Sequence, residues 1–317
     1  MWIAGAMDRM GHAQDTMWNE EDGFFYDVLR MPDGQAFQMK VRSMVGLLPL
    51  TAVAIFEEDL GAQLPTFSKH AKEFMMRHPE LAVNLHMPGT PGVAGRRLLS
   101  TVNEDKLRRI LTKMLDEEEF FGPHGIRALS LYHREHPFEF EMAGQKYSVG
   151  YLPGDSDSGM FGGNSNWRGP VWMPVNFLLY TSLLRLGAYY GDTFKIECPT
   201  GSGNVMTLFQ VAKELGERLI GTFVKDSTGR RPVYGSAEKL QTDPNWRDNV
   251  LFYEYFNGDT GAGIGASHQT GWTGCIARII QGNGAFEEKD LFERDAERRA
   301  IRVGQGQSKD EISSIAK

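Results

Sequence analysis

Four segments of this chain space their apolar residues as helices do, and long glycine-rich connections separate them. Leu107, Ile110, Leu111, Met114 and Leu115 recur at i, i+3, i+4, i+7 and i+8 after Asn103, a good N-cap residue. About Pro174 to Tyr190 forms the second segment, with Phe177, Leu178, Leu184 and Leu186. The third runs from about Asn204 to Phe223, and the fourth carries Trp272, Cys275, Ile276, Ile279 and Ile280. Weaker helical signals cover 2–12, 49–58 and 68–78. Strand signals are sparse: a hairpin around Pro32-Asp33-Gly34, and a short strand at 147–151. No alternation of strand and helix appears, so an open parallel sheet is not expected. The pattern predicts a mainly α fold with a small β-hairpin.

The connections 150–170 and 230–265 are rich in Gly, Asp, Asn and Trp. Compact domains avoid such lengths unless the loops carry function, which points to a helical scaffold with its working loops at one end. The 317 residues, 41% hydrophobic, suffice for one large core or two small ones. A formal charge of −7 argues against a nucleic-acid partner. No apolar run is long enough for a membrane span, and the start lacks a secretory pattern, so a cytoplasmic protein is expected. Cys198 and Cys275 match no zinc spacing, and no metal or cofactor is expected.

Residues 162–180 place Trp167 and Trp172 on either side of Arg168-Gly169-Pro170, just before an apolar helix. An indole face suits stacking on a sugar ring, and a guanidinium suits sugar hydroxyls or a carboxylate. The competing reading makes both indoles core residues. Residues 251–274 set Glu254 between Tyr253 and Tyr255, before a glycine-rich loop leading to His268, Gln269 and Trp272. A carboxylate among aromatics fits general-base work. The Gly-Ala-Gly-Ile-Gly-Ala run lacks the strand and the Lys-Ser/Thr of a phosphate loop. Glu20, Glu21, Asp22 and Asp27 read as a solvated turn. Asp155 and Asp157 read as a loop, since the rest of a calcium pattern is missing. His133 and His136 do not fit the zinc helix.

Taken together, NSNWRGPVWMPVNFLLY, YEYFNGDTGAGIGASHQTGWTG, EEDGFFYDVLR and HGIRALSLY resemble glycoside hydrolase family 63 over roughly residues 1–282. That family includes processing α-glucosidases and relatives acting on glucosylglycerate and mannosylglycerate; trehalases are similar in the two central motifs, more loosely. The resemblance implies an (α/α)6 toroid of the six-hairpin type. It also implies an inverting mechanism, in which an acid and a base stand roughly 6.5–9.5 Å apart. The base maps to Glu254, and sugar contacts map to Trp167, Arg168, His268, Gln269 and Trp272. The family's acid lies in a loop upstream of the segment matching Trp18–Arg30, so it is expected before Met1. About seven helices are legible against the twelve of a full toroid. We therefore expect an incomplete toroid over 1–282, a charged tail over 283–317, and a partner in the missing N-terminal segment of the same domain. The expected activity is hydrolysis of α-glycosidic bonds in glucosides, mannosides or oligosaccharides, with this chain supplying the base half. The alternatives are a non-catalytic carbohydrate-binding remnant and another toroid enzyme, such as an epimerase or phosphorylase.

Overall fold

A computed structural model describes residues 2–8, 15–81, 90–155 and 168–285 of the chain. Its α-helices are α1 (Trp2–Asp8), α2 (Leu60–Gln63), α3 (Pro65–Arg77), α4 (Glu104–Met114), α5 (Met173–Tyr190), α6 (Leu208–Gly221), α7 (Glu238–Thr242) and α8 (Ile276–Ala285). The described part is mainly helical, as the periodicity predicts. It also holds seven two-stranded antiparallel ladders where the sequence pointed to one hairpin and one further strand. The expected hairpin is present as Asp27–Arg30 on Ala36–Met39. The expected tail falls almost wholly outside the described residues. Among those residues no helix is long and apolar enough to cross a membrane.

Local chemistry explains the strongest helices. Asn103 caps α4 by accepting from the Lys106 N–H, Glu104 and Asp105 complement the dipole in its first turn, and Leu107, Ile110, Leu111 and Met114 are buried. In α6 a reciprocal capping box closes between Thr207 and Gln210. That box corrects the third predicted helix, because Val205–Thr207 is a strand paired with Lys195–Glu197. The predicted helix over 49–58 is also corrected. A 3-10 segment, Met44–Thr51, ends there, and Val53–Phe56 pairs with Arg97–Ser100.

Helices α5, α6 and α8 share the main core, which includes Leu179, Leu183, Leu215, Leu219, Ile276 and Ile279. A polar knot ties the three together. The Tyr180 hydroxyl donates to Asn283 Oδ1 at 3.0 Å, and Asn283 Nδ2 donates to the Lys213 carbonyl at 2.9 Å. At its start α5 is docked by Asn176, 1% exposed, whose amide bonds both the N–H and the carbonyl of Ile126. This fixes where the Trp-containing loop must emerge.

A second polar interior joins distant segments. Glu119 accepts from Arg42 and Ser130, and Arg42 stacks over the Tyr132 ring at 4.1 Å. Asp22 pairs with Lys40 at 3.1 Å and stands 3.8 Å from Arg42. The acidic turn is thus partly a buried ion network, since Asp22 sits where Arg42 already needs counter-charge. Glu20 does remain exposed, holding Arg109 and the Trp18 indole.

His133, 2% exposed, belongs to this interior. Its Nδ1–H donates to the His136 carbonyl at 2.8 Å, and its Nε2 accepts the Arg42 backbone N–H at 2.8 Å. Both nitrogens are engaged in the neutral ring. Burial, reinforced by the Arg42 charge, holds its pKa below the usual 6.5, and burial with Arg127 does the same for His124. The unfolded chain therefore takes up protons first. Stability is full above about pH 6.5 and falls as the pH drops from there toward the folded values, by at most about 1.4 kcal/mol per pH unit for each histidine. Melting between pH 7.5 and 5.5 should show this fall. His133→Gln keeps an acceptor for Arg42 and should flatten the slope; an unchanged slope would sink the assignment.

Candidate functional site

Glu254 sits one residue before a hairpin in which Tyr255–Phe256 pairs with Gly263–Ile264. Phe256 also bridges Val171, and Val171 bridges Arg127, so the Glu254 segment and the segment following Arg168 lie side by side. The Val171 and Phe256 backbones exchange hydrogen bonds of 2.8 and 3.0 Å. On its other side the Glu254 segment is held by the entry to α8. Gln269 N–H donates to the Phe252 carbonyl at 2.8 Å, the Thr273 hydroxyl donates to the Tyr253 carbonyl, and the Trp272 indole N–H donates to the Glu254 carbonyl at 3.1 Å. The backbone of Glu254 is thus fixed from two sides while its side chain stays half-buried.

The carboxylate faces the glycine-rich loop. A Cβ at Gly265 would lie 2.7 Å from Glu254 Oε2 and 2.9 Å from the Tyr255 ring, and Gly265 has φ +77°. Glycine is required there twice, for the close approach and for the left-handed backbone. This is the physical content of the glycine run. The Tyr255 ring stacks on Trp172 at 4.9 Å, and Trp172 meets Trp272 edge-on at 6.1 Å. Trp172 and Tyr255 are buried; Trp272 is 38% exposed and offers ring surface beside Glu254. Trp172 is thus a core residue, as the competing reading had it. The Tyr255 hydroxyl donates to Asp155 Oδ1 at 2.6 Å, and burial together with that bond pushes the phenol pKa up.

Of the residues singled out in the sequence, Glu254, Gln269 and Trp272 come together. His268 is exposed, with Nδ1 2.9 Å from the Ser267 hydroxyl, and its backbone bridges Phe252. Arg168 is buried and lines a cavity of about 370 Å³ with Asp27, Val41, Ser43, Leu129 and Val149. Glu254 does not line that cavity. Trp167 and Asp157 lie outside the described residues.

Two features escaped the sequence reading. One is a glycine seam: a Cβ on Gly169 would lie 2.1 Å from the Leu152 carbonyl oxygen, and one on Gly258 would lie 2.3 Å from the Gly169 oxygen. The seam lets residues 151–153, 168–170 and 257–258 pack backbone to backbone. The other is Asp259, which accepts from Tyr151 at 2.7 Å and from Arg134 at 2.6 Å. Glycine pairs in otherwise polar loops were the only available sign of the first.

Comparison with known proteins gives this geometry a lineage. A family model described as the mannosylglycerate hydrolase MGH1-like glycoside hydrolase domain matches residues 97–273, a span that holds Arg168, Glu254, His268, Gln269 and Trp272. The uncharacterized protein YMR196W of Saccharomyces cerevisiae is 49% identical over 270 residues, covering 84% of this chain and 25% of the yeast protein. The probable mannosyl-oligosaccharide glucosidase of Schizosaccharomyces pombe is 23% identical, over 58% of this chain and 16% of its own length. The mannosyl-oligosaccharide glucosidase of Saccharomyces cerevisiae is 24% identical, over 56% of this chain and 15% of its own length. The chain therefore spans a quarter or less of the length of these relatives. With Arg168 and Gly169 laid beside the Glu254 hairpin and both segments inside the matched span, the chain belongs to the MGH1-like glycoside hydrolases of family 63.

Proposed function

We propose that this chain contributes to hydrolysis of α-glycosidic bonds in glucosides, mannosides or oligosaccharides, with inversion at the anomeric carbon and Glu254 as the general base. The observation that carries the reading is the setting of Glu254. Its carboxylate is half-buried beside the Tyr255 ring and a glycine-lined loop, on a backbone held from both sides. An inverting base must hold one water against one face of the sugar, and such rigidity serves that task. Trp272 offers a stacking face for a pyranose ring, and His268 and Gln269 at the same helix entry offer polar contacts. Trp167 is assigned to sugar contact by its motif alone. Arg168 is assigned to the wall of the neighbouring cavity, which Asp27 also lines.

The general acid is placed in another segment of a longer protein, which would also complete an (α/α)6 toroid around these helices. Asp155 is not assigned as the acid, because its Oδ1 is already taken up by the Tyr255 hydroxyl at 2.6 Å. Localisation in the cytoplasm and recognition of a carbohydrate stay part of this proposal.

Anomer-resolved proton NMR tests the reading directly. α-Linked gluco- and manno-configured disaccharides are expected to release the β-anomer first. Initial release of the α-anomer would replace inversion by retention. Calorimetric binding without any hydrolysis, in the chain and in its full-length relatives, would favour a carbohydrate-binding remnant.

A further inference from the structure

We infer that Asp259 is the positioning residue for Glu254, pinning three separate segments of the site through one carboxylate; this rests on the reading of Glu254 as a base. Asp259 Oδ1 accepts the Tyr151 hydroxyl at 2.7 Å, and Oδ2 accepts Arg134 Nη2 at 2.6 Å. Arg127 Nη2 stands 3.8 Å from Oδ1, and the Arg134 guanidinium lies over the Tyr151 ring at 4.9 Å. Every partner is brought from more than a hundred residues away along the chain.

The clamp works on Glu254 through a stiff lever. Asp259 lies in the turn of the hairpin that begins directly after Glu254. Asn257 Oδ1 accepts the backbone N–H groups of Asp259 and Thr260, both at 3.0 Å, and the Asn257 N–H donates to the Ala262 carbonyl at 2.8 Å. The turn is therefore rigid, and a displaced Asp259 carries the hairpin with it. The entry to α8 fixes only the side of Glu254 that faces residues 252–254. The other side is held by the Val171–Phe256 backbone pair, and the hairpin turn beyond that pair by Asp259.

The same carboxylate sets the neighbouring segments. Tyr151 begins the stretch in which Leu152 N–H donates to the Arg168 carbonyl at 2.7 Å and the Pro153 carbonyl accepts from Gly258 at 2.8 Å. Asp155, the acceptor for Tyr255, follows two residues later. One carboxylate thus aligns the hairpin that follows Glu254, the segment bearing Arg168 and the loop bearing Asp155. Its side chain is 33% exposed, so its role is not that of a buried core residue.

Asp259→Asn keeps the shape and an acceptor for Tyr151 while removing the charge that Arg134 and Arg127 face. In the full-length protein that supplies the general acid, kcat on an α-linked disaccharide is expected to fall about 10–100-fold with KM changed less than about threefold, since misplacement near 1 Å costs rate on that order. Asp259→Glu restores the charge and should recover part of kcat. Hydrogen–deuterium exchange reads positioning without any turnover. Amides in 254–266 and 151–155 should exchange at least about tenfold faster in Asp259→Asn, with α4, α5 and α6 unchanged. Unaltered exchange in 254–266, a rise spread over the whole chain, or an unchanged kcat would overturn the inference. Absence of hydrolysis in the unmodified full-length protein would count against the function proposed for Glu254, and the exchange result would still decide the role of Asp259.

Discussion

Glu254→Gln is expected to lower turnover by about 10²–10⁴-fold while sugar binding stays within a few-fold, because the amide keeps the volume of the side chain and loses its basicity. The surroundings of Glu254 make this substitution clean. Its backbone carbonyl, held by the Trp272 indole, is untouched by the change. Its Oε2 lies 3.5 Å from the Ala266 N–H, a contact that an amide oxygen reproduces. The loss should therefore fall on kcat. Glu254→Asp sharpens the test. It keeps the charge and withdraws the carboxylate by one methylene, a retreat of about 1 Å, so a loss near 10²-fold is expected from geometry alone. Steady-state kinetics with calorimetry on the same variants separates the two contributions. Turnover unchanged in Glu254→Gln would remove the base assignment outright. A parallel loss of binding would make Glu254 a sugar ligand instead.

The sequence was most legible where a local rule sufficed. Helix α4 follows from Asn103 and a strict apolar stripe, and α5 from its run of Phe, Leu and Tyr. Errors arose where partners lie far apart. Val53 and Ile55 read as helix residues beside Pro49, yet they form a strand because Arg97–Ser100 waits some forty residues downstream. Non-local pairing leaves no local mark. The start of α6 was recoverable: Thr207 followed at the third position by Gln210 is a capping box, and it excludes Val205 from the helix.

The same division holds for the site. Glu254, Tyr255 and Trp272 sit in one stretch of chain, and their grouping was readable from composition and from the family resemblance. Nothing in the motif warned that Arg168 would line a separate cavity with Asp27, since the direction of a side chain depends on the local backbone. It was equally silent on Asp259, whose value comes from Tyr151 and Arg134. Glycine was the most informative residue type and the hardest to interpret. Gly34, Gly201 and Gly229 have positive φ with nothing near a would-be Cβ, whereas Gly169, Gly258 and Gly265 are hemmed in. Only the packing separates turn glycines from contact glycines.

That separation makes Gly169→Ala the most damaging single-methyl change expected here. Gly169 has φ +145°, a region hostile to a side chain, and its Cβ would lie 2.1 Å from the Leu152 oxygen and 2.7 Å from the Tyr151 ring. Neither neighbour can retreat. Leu152 is tied to the Arg168 carbonyl by its own N–H, and the Gly169 oxygen already sits where Gly258 tolerates no side chain. Backbone strain of about 1–3 kcal/mol adds to overpacking of about 1–3 kcal/mol, so destabilisation of about 2–6 kcal/mol is expected. Relief by opening the seam would move Arg168 and the Glu254 hairpin apart, and turnover should then fall even at temperatures where the chain stays folded. Gly201→Ala is the control: its φ is +79° with open space around it, so it carries backbone strain without the clash. Thermal melting of both variants isolates the seam. A Tm for Gly169→Ala no lower than that for Gly201→Ala would mean that the three segments are not locked together, and the rigidity assigned to the site would go with it.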